Sequence, residues 1–474
     1  MNMRWMGALI LAAVGVLLAL LEPFPALSRS GHQVLMGLLI GVGLWIFQPG
    51  KLAFAVATCL VLAIFLMVGV DAPLVFAGFT SSTIWILLPA TAFGYVLTKT
   101  GLGKRIALLV IKTFHPSYLN MTLAWLIIGL ILSAFTPSIV IRIAIVMPIA
   151  VSCAGMLKLE PGSRGNAYIL LIAWAMAIIP GSGWLTGSLW GPITLGMYDK
   201  VESLSGTLTS RAWMAAMALP MFVLTVLVVA GLYVVLRPRP LVGLTRDSFA
   251  QAYRELGPWS RQEKTSTVIL VLAFALFMTE TLGLHHLNVV VVCLAAFFAF
   301  YAFGVLDTED FSKGIAWNLL VFLGGVLSLT GIFKATGVSG WIEGMIFPAL
   351  APFEGLPWLF VLVLPLFMFA WRFIDIAWMI PTISLLVALL PSIQNRFGIH
   401  PLVLSCLMIM AGNFALLTYM QPFAFLGSTL SGERSWTPGQ LCRYGLVYLV
   451  SCVGALAASL LYWQATGFLG AGGE

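Results

Sequence analysis

The chain has 474 residues, of which 61% are hydrophobic and only 9% are charged. Its mean hydropathy of +1.04 excludes a soluble globular domain and is typical of a polytopic membrane protein. The net charge of +7 arises mainly in loops on one side of the predicted spans, so no nucleic-acid partner is predicted. The six cysteines and five histidines show no CxxC or HExxH spacing, and no metal site or cofactor is therefore predicted.

Apolar runs of about 17–25 residues mark helices that are long enough to cross a bilayer. The first run resembles a signal peptide, but further spans follow it, so we interpret it as a retained helix. Together the runs predict an all-α polytopic fold of eleven transmembrane helices and two re-entrant hairpins. The predicted units are an N-terminal span (1–27), a first repeat (28–236) with a hairpin at 118–157, a cytoplasmic connector (237–264), and a second repeat (265–474) with a hairpin at 356–391.

The most informative stretch is 133–149, SAFTPSIVIRIAIVMPI. Pro137 interrupts this apolar segment, because proline lacks an amide hydrogen and disfavours helix at the residue before it. Arg142 follows, and a charged side chain at bilayer depth costs roughly 2.5–3.5 kcal/mol. Non-helical backbone at that depth is tolerated only where it is buried in protein or lines a cavity, so the hairpin is a candidate site.

A second apolar segment with charged residues and a proline, 366–382, resembles this stretch and belongs to a longer internal repeat. Four matches occur in order at offsets of 232 to 236 residues: Trp85 with Trp317, Thr100-Gly101 with Thr336-Gly337, Pro148 with Pro381, and Thr186 with Thr418. Each copy holds five spans and one hairpin, an odd number of crossings, which predicts inverted repeats as in secondary transporters. Aligning the two prolines sets Arg142 on Asp375, so we predict that these opposite charges approach one another.

Basic residues orient the chain in the membrane. With the N-terminus in the cytoplasm, 17 of the 24 lysines and arginines fall in cytoplasmic segments and 5 fall outside. This asymmetry predicts a cytoplasmic N-terminus and an external C-terminus. In the connector, Phe249, Tyr253 and Leu256 share one face of TRDSFAQAYRELG, which predicts either a helix on the cytoplasmic membrane surface or an ordinary solvated loop helix.

Several segments resemble the divalent anion:sodium symporter family of the ion transporter superfamily. They are TKTGLGKRIAL (98–108), WNLLVFLGGVLSLTGIFKATG (317–337), GIHPLVLSCLMIMAGNFALLTYMQP (398–422) and WTPGQLCRYG (436–445). The resemblance implies a scaffold domain and a moving domain that carries both hairpin tips, in a homodimer that works by an elevator movement. It also implies dicarboxylates, citrate, sulfate or related anions as substrates, coupled to sodium or to exchange for a second anion.

The hairpin tips depart from that family's Ser-Asn-Thr pattern. The first tip keeps Ser138 but has Ile139 and Val140 next, while Arg142 matches an arginine of the citrate and oxoglutarate exchanger branch. In the second tip, Trp371, Arg372 and Phe373 replace small polar residues, and Asp375 stands where that branch has histidine. Sodium requires several hard oxygen ligands. The substituted side chains, those of Ile139, Val140, Trp371 and Phe373, supply none, although backbone carbonyls remain. We therefore predict little or no sodium dependence.

The residues at the broken helices are the candidate substrate ligands: Ser138, Arg142, Thr186, Ser188, Arg372, Asp375, Thr418 and Gln421. Arg142 either binds a carboxylate or sulfate through its planar fork or forms a fixed ion pair with Asp375. Arg372 and Asp375 are also spaced for a local pair, and Asp375 is alternatively a proton-coupling carboxylate. The small polar residues are either ligands or contacts between helices.

These features favour a secondary active transporter, a permease that moves a small anion such as a dicarboxylate, tricarboxylate or sulfate across the inner or plasma membrane. The alternative is a non-transporting relative that acts as a membrane scaffold or accessory subunit. An enzyme is not predicted, because no catalytic constellation is visible in the spans. The expected partners are the anion, the lipid membrane and a second copy of the chain.

Overall fold

The computed structural model describes residues 3–239, 247–373, 375 and 379–470. Within these ranges the regular structure is helical, apart from one isolated β-bridge between Ile399 and Leu469. Nine of the described helices are long and apolar enough to cross a membrane, and four shorter ones are also apolar. The predicted all-α polytopic fold is therefore confirmed. Residues 240–246 of the predicted connector lie outside the described ranges.

Eleven helices precede the connector. They are α1 (Met3–Leu21), α2 (Arg29–Phe47), α3 (Phe54–Met67), α4 (Ala72–Val75), α5 (Ser82–Lys99), α6 (Leu102–Ile111), α7 (Tyr118–Phe135), α8 (Ile139–Met156), α9 (Arg164–Ile178), α10 (Trp190–Tyr198) and α11 (Ser210–Leu236).

Eleven more helices form the remainder of the described chain. They are α12 (Asp247–Arg254), α13 (Arg261–Thr281), α14 (Val289–Ala302), α15 (Thr308–Lys313), α16 (Trp317–Ala335), α17 (Val338–Leu350), α18 (Pro357–Trp371), α19 (Ile380–Phe397), α20 (Pro401–Gly412), α21 (Pro422–Ser431) and α22 (Pro438–Ala465).

The internal repeat appears in the order of the helices, because α5–α11 recur as α16–α22 with the same breaks. Gly101 and Gly337 cap α6 and α17 at the same point of each copy. Both have a φ of 78°, a left-handed conformation that glycine adopts without steric cost. The hydroxyls of Thr100 and Thr336 each donate to the carbonyl four residues earlier, at 2.7 and 2.8 Å. The predicted Thr-Gly match is thus confirmed.

Both predicted hairpins are broken as expected, but their tips differ in length. Only Thr136–Ser138 separate α7 from α8, whereas eight residues, 372–379, separate α18 from α19. As a result Pro148 is the tenth residue of α8 and Pro381 is the second of α19. The predicted equivalence of these prolines is therefore wrong, because the longer second tip shifts the register of the helix that follows it.

Each half also contains an unwound segment. In the first half, 3₁₀ turns at Pro180–Gly183 and Leu185–Gly187 separate α9 from α10; in the second, the turn Thr418–Met420 lies between α20 and α21. Pro180 starts the first segment, and Pro422 starts the helix that follows the second. These prolines explain the breaks, because proline cannot donate an intrahelical hydrogen bond. Thr186 and Thr418, which the sequence pattern matches, both lie in these turns, but Thr186 is the second residue of its turn and Thr418 is the first.

The connector helix α12 packs against α6, and Phe249 is buried there. A helix therefore forms in the predicted connector, and its apolar residue Phe249 meets protein, while a position on the membrane surface stays a prediction. Arg105 of α6, which the charge pattern assigns to a cytoplasmic segment, is buried. Its Nε donates to Glu263 at 2.5 Å, and its Nη1 donates to the carbonyl of Gly257 at 2.9 Å. Arg105 therefore fastens the connector to the first half.

Candidate functional site

Arg142 lies at the centre of the first broken region. It is in the first turns of α8, is 0% exposed, and donates from Nη1 to the carbonyl oxygen of Gly187 at 2.9 Å. Its Nε and Nη2 are buried without a hydrogen-bond partner. These two nitrogens lie on one edge of the guanidinium plane, the edge that matches a carboxylate in a bidentate contact.

The predicted ion pair between Arg142 and Asp375 is not formed. Arg142 donates to Gly187, while Asp375 accepts from the Thr382 hydroxyl, and its backbone carbonyl accepts from Nη1 of Arg372. The long second tip accounts for the error, because Asp375 precedes α19 while Arg142 lies inside α8. The two residues are not at equivalent positions of their hairpins.

Two glycines allow Arg142 to approach the unwound backbone. A Cβ on Gly181 would lie 2.5 Å from Nη1 of Arg142 and 2.2 Å from the carbonyl oxygen of Gly187. A Cβ on Gly187 would lie 2.3 Å from the carbonyl oxygen of Gly181. Side chains would not fit at either position, so the glycines keep the carbonyl of Gly187 accessible to the guanidinium.

The second half contains a similar contact. Arg372, at the end of α18, is 0% exposed and donates from Nη2 to the carbonyl oxygen of Met420 in the second unwound segment. Its Nε is buried and has no partner. Each half therefore directs one buried arginine of its hairpin to a backbone carbonyl of its own unwound segment.

A set of hydrogen bonds joins the two unwound segments. Trp190 Nε1 donates to Asn413 Oδ1 at 3.1 Å, and Gln421 Nε2 donates to the carbonyl oxygen of Asn413 at 3.1 Å. The backbone N–H of Trp190 also points at Ser188 Oγ, 3.5 Å away. The residues that follow Gly187 and Met420 are thereby linked, and the predicted ligands Ser188 and Gln421 lie in one buried region.

The other predicted ligands lie at the edge of this region. Thr186 lines a small apolar pocket with Pro137 of the first tip, so the tip and the unwound segment are adjacent. Ser138 immediately precedes α8 and is buried, and its backbone N–H donates to Thr136 Oγ1 at 3.1 Å. Thr418 is only half-buried. Ser188 and Gln421 thus belong to the hydrogen bonds around Trp190 and Asn413. The two arginines contact the carbonyls of the residues just before them, Gly187 and Met420.

The chemistry of the buried region suits an anion. Among the described residues of the two hairpins, two guanidinium groups, those of Arg142 and Arg372, and one carboxylate, that of Asp375, are buried. A buried charge requires an opposite charge or well-placed dipoles, and the partnerless nitrogens of Arg142 and Arg372 can supply donors to an anion. Among the described residues, no group of three or more His, Cys, Asp or Glu side chains could hold a metal ion.

Sequence patterns did not identify three residues of this region: Gly181, Asn413 and Met420. Gly181 contributes by lacking a Cβ, and Met420 contributes its backbone carbonyl. Neither property produces a recognisable sequence motif. Asn413 could have been found, because it is the polar residue that follows the fully buried helix α20 just before the second unwound segment.

A polytopic helical protein with two broken hairpins, two unwound helices and buried arginines at their carbonyls has the architecture of a secondary transporter. The family model described as "Sodium:sulfate symporter transmembrane region" matches residues 2–468. The chain therefore belongs to the sodium:sulfate symporter family, a family of anion transporters. The resemblance indicated by its motifs is confirmed.

Three curated relatives from Escherichia coli K12 are similar to this chain. Inner membrane protein YbhI is 27% identical over 358 residues, which are 72% of this chain and 73% of that protein. The L-tartrate/succinate antiporter is 25% identical over 392 residues, with 80% of this chain and 78% of the relative covered. The citrate/succinate antiporter is 27% identical over 299 residues, with 61% and 60% covered.

Among solved structures, the Alcanivorax borkumensis YdaH transporter superposes with a TM-score of 0.55. The match covers 84% of this chain and 88% of that one, at 13% sequence identity. This similarity supports the transporter fold and carries no information about the substrate.

Proposed function

We propose that this protein is a sodium-independent exchanger of small dicarboxylates in a cell membrane. The observation that carries the proposal is the partnerless Nε–Nη2 edge of Arg142, which is buried beside an unwound helix. A buried guanidinium edge that lacks acceptors favours a planar, doubly accepting anion group, and a carboxylate has that geometry. The Nε of Arg372, the Ser188 hydroxyl and the remaining hydrogen on Gln421 Nε2 are the donors that we assign to a second carboxylate.

The guanidinium groups also bear on the coupling ion. Carbonyls at unwound helices are the groups that bind cations in many transporters. In this chain the carbonyls of Gly187 and Met420 already accept from Arg142 and Arg372. The protein therefore carries its own positive charges at these positions, and a sodium ion there would be repelled. Two of the relatives are named as antiporters for succinate, which supports exchange rather than symport.

The proposal includes an elevator movement, a homodimer, and a topology with the N-terminus in the cytoplasm and the C-terminus outside. The basic-residue asymmetry and the family membership support these features. In this arrangement the hairpins and unwound segments would move together as one unit, because the hydrogen bonds through Asn413 already join the two halves.

Purified protein in liposomes tests the proposed function. Vesicles loaded with unlabelled succinate, tartrate, citrate or sulfate, or left empty, are diluted into sodium-free buffer that contains labelled succinate. We expect uptake only when a di- or tricarboxylate is inside, and no change when sodium is added. Uptake that requires sodium would contradict the exchange mechanism. A folded protein that moves none of the four anions would favour the accessory-subunit alternative.

A further inference from the structure

A buried histidine lies where the loop between α1 and α2 meets the corner between α16 and α17. His32, in the first turns of α2, is 1% exposed. Two contacts fix the loop to the corner. The Ser28 hydroxyl donates to the carbonyl oxygen of Thr336 at 2.9 Å, and the Phe24 ring packs on that of Trp341 in α17, with 4.8 Å between the ring centroids. We call these five residues the α17 clasp.

The hydrogen bonds of His32 require a neutral imidazole. Its Nδ1 lies 3.0 Å from the carbonyl oxygen of Ser28, which can only accept, so Nδ1 carries the hydrogen. Its Nε2 lies 3.3 Å from the backbone nitrogen of Phe24, whose N–H can only donate, so Nε2 carries none. The imidazole also stacks on the Phe24 ring, with 5.9 Å between the centroids. A proton on Nε2 would set two N–H groups against each other and break the bond to Phe24.

The surroundings of His32 provide no acid that pairs with an imidazolium. Among the described residues, no carboxylate forms an ion pair or a hydrogen bond with the ring. The positive end of the α2 helix dipole disfavours a charged imidazole as well. The charged groups on the surrounding elements pair elsewhere or lie exposed: Glu22 with Arg29, Lys334 with Glu202, Glu343 with the Ser392 hydroxyl, and Asp71, exposed after α3.

The equivalent corner of the internal repeat, between α5 and α6, is fastened by fixed charges. Ser260 caps α13 as Ser28 caps α2, at the spacing of the repeat. Arg105 stands four residues after the glycine that caps α6, as Trp341 does in α17. There Arg105 donates to Glu263 at 2.5 Å, and both groups stay charged above about pH 5. The repeat therefore uses a permanent ion pair at one corner and a neutral histidine at the other.

We propose that the α17 clasp is a proton-sensitive contact, which is closed while His32 is neutral and opens when His32 takes up a proton. Imidazole changes its charge between about pH 5 and 8, so mild acid is the signal. Because α17 leads through residues 351–356 to the second hairpin, opening releases one support of that hairpin. On the proposed topology the clasp faces the outside of the cell. The device is independent of the anion site at Arg142.

The size of the response follows from proton linkage. In the open form the imidazole is solvated, and a solvated imidazole has a pKa of about 6.5. Lowering the pH from about 7.5 to about 5.5 then favours the open form about tenfold, because only the open form binds the proton. This factor does not depend on the stability of the clasp, as long as the open form is the minor one.

Labelling of a buried cysteine relative to an exposed neighbour measures the opening. Leu27 lies between Phe24 and Ser28 and is 6% exposed, whereas Ala26 is exposed. Full-length Leu27→Cys and Ala26→Cys proteins in detergent are reacted with a maleimide, and mass spectrometry of the peptides separates the new cysteine from the native ones. The ratio of the two rates cancels the intrinsic effect of pH on a thiol. We expect this ratio to rise about tenfold from about pH 7.5 to about pH 5.5.

His32→Gln assigns the response, because its amide oxygen can accept from the Phe24 N–H and does not titrate. In this background the labelling ratio should be equal at the two pH values, whether the clasp is closed or open. The double variant His285→Gln with His286→Gln, in the loop after α13, should keep the tenfold rise. A ratio that does not rise when His32 is present, or that rises as much in His32→Gln, would overturn the inference. Loss of the rise in the double variant would overturn it as well.

Discussion

Arg142 and Arg372 each donate a hydrogen bond to the final carbonyl of the 3₁₀ turn in the unwound segment of its own half, Gly187 and Met420. They reach these carbonyls from different places, since Arg142 is inside α8 and Arg372 follows the end of α18. The similarity therefore lies in the contact and not in the aligned position. Each contact supplies a hydrogen-bond donor to a backbone carbonyl that would otherwise lack one in a low-dielectric interior.

The first prediction concerns the glycines of the first unwound segment. Gly181→Ala should lower succinate exchange at least tenfold, because the new methyl group would overlap the contact between Arg142 and Gly187. Gly183→Ala is the matched control in the same turn: its Cβ would lie 3.6 Å from the nearest atom, an ordinary contact distance. Exchange rates per folded protein in liposomes measure the difference. Equal rates in the two variants would show that the close approach has no role.

The second prediction concerns the absent pair of Arg142 and Asp375. Because the two residues share no hydrogen bond or ion pair, the effects of Arg142→Gln and Asp375→Asn on thermal stability should add to within about 0.5 kcal/mol. Arg105→Gln with Glu263→Gln is the positive control, since these side chains are joined at 2.5 Å and should couple by about 0.5–3 kcal/mol. A coupling of that size between Arg142 and Asp375 would show that the two side chains do form an ion pair and would contradict the structure.

The third prediction concerns Asp310, which precedes α16 outside the membrane spans. Burial alone would raise the pKa of Asp310, but hydrogen bonds from Lys99, the backbone N–H of Asp307 and Tyr95 lower that pKa overall. A lowered folded-state pKa stabilises the protein above the unfolded value of about 3.9, and this stabilisation is lost as the pH falls below it. Asp310→Asn should therefore cost about 1–3 kcal/mol at pH 7 and progressively less below pH 4.

The neighbouring acid is the control for Asp310. Glu309 pairs with Lys313 at the surface, where both side chains are well exposed, and exposed pairs contribute little. Thermal unfolding of Glu309→Gln in detergent should follow wild type at every pH. If Asp310→Asn followed wild type as well, the cluster with Lys99 and Tyr95 would not join the two halves as the structure indicates.

Features that depend on neighbouring residues could be predicted from the sequence. Pro137 predicts the break after α7, and the Thr100-Gly101 and Thr336-Gly337 pairs predict two helix starts with the same left-handed cap. The apolar runs predict the spans because a helix must be long enough to cross the hydrocarbon core of the bilayer. These requirements are local, and each produces a recognisable sequence pattern within about twenty residues.

Long-range contacts could not be predicted in the same way. The alignment of Arg142 with Asp375 failed because the second tip is five residues longer than the first. Asp375 therefore precedes α19, whereas Arg142 lies inside α8. Within a helix, a shift of one position already turns a side chain by about 100°. The buried pair of Arg105 and Glu263 joins residues 158 positions apart, and no periodicity connects them.

The central claim is that the partnerless edge of Arg142 holds the substrate, and one variant tests it most directly. Arg142→Met keeps most of the side-chain volume and removes a buried charge that has only one hydrogen-bonded nitrogen. This gain offsets the cost of leaving the Gly187 carbonyl without a donor, so the fold should stay close to wild type in stability. We expect sodium-free succinate exchange by this folded variant to fall at least a hundredfold. The exposed arginine at the start of α9 provides the control, and Arg164→Gln should exchange like wild type. Wild-type exchange by a well-folded Arg142→Met protein would contradict the account.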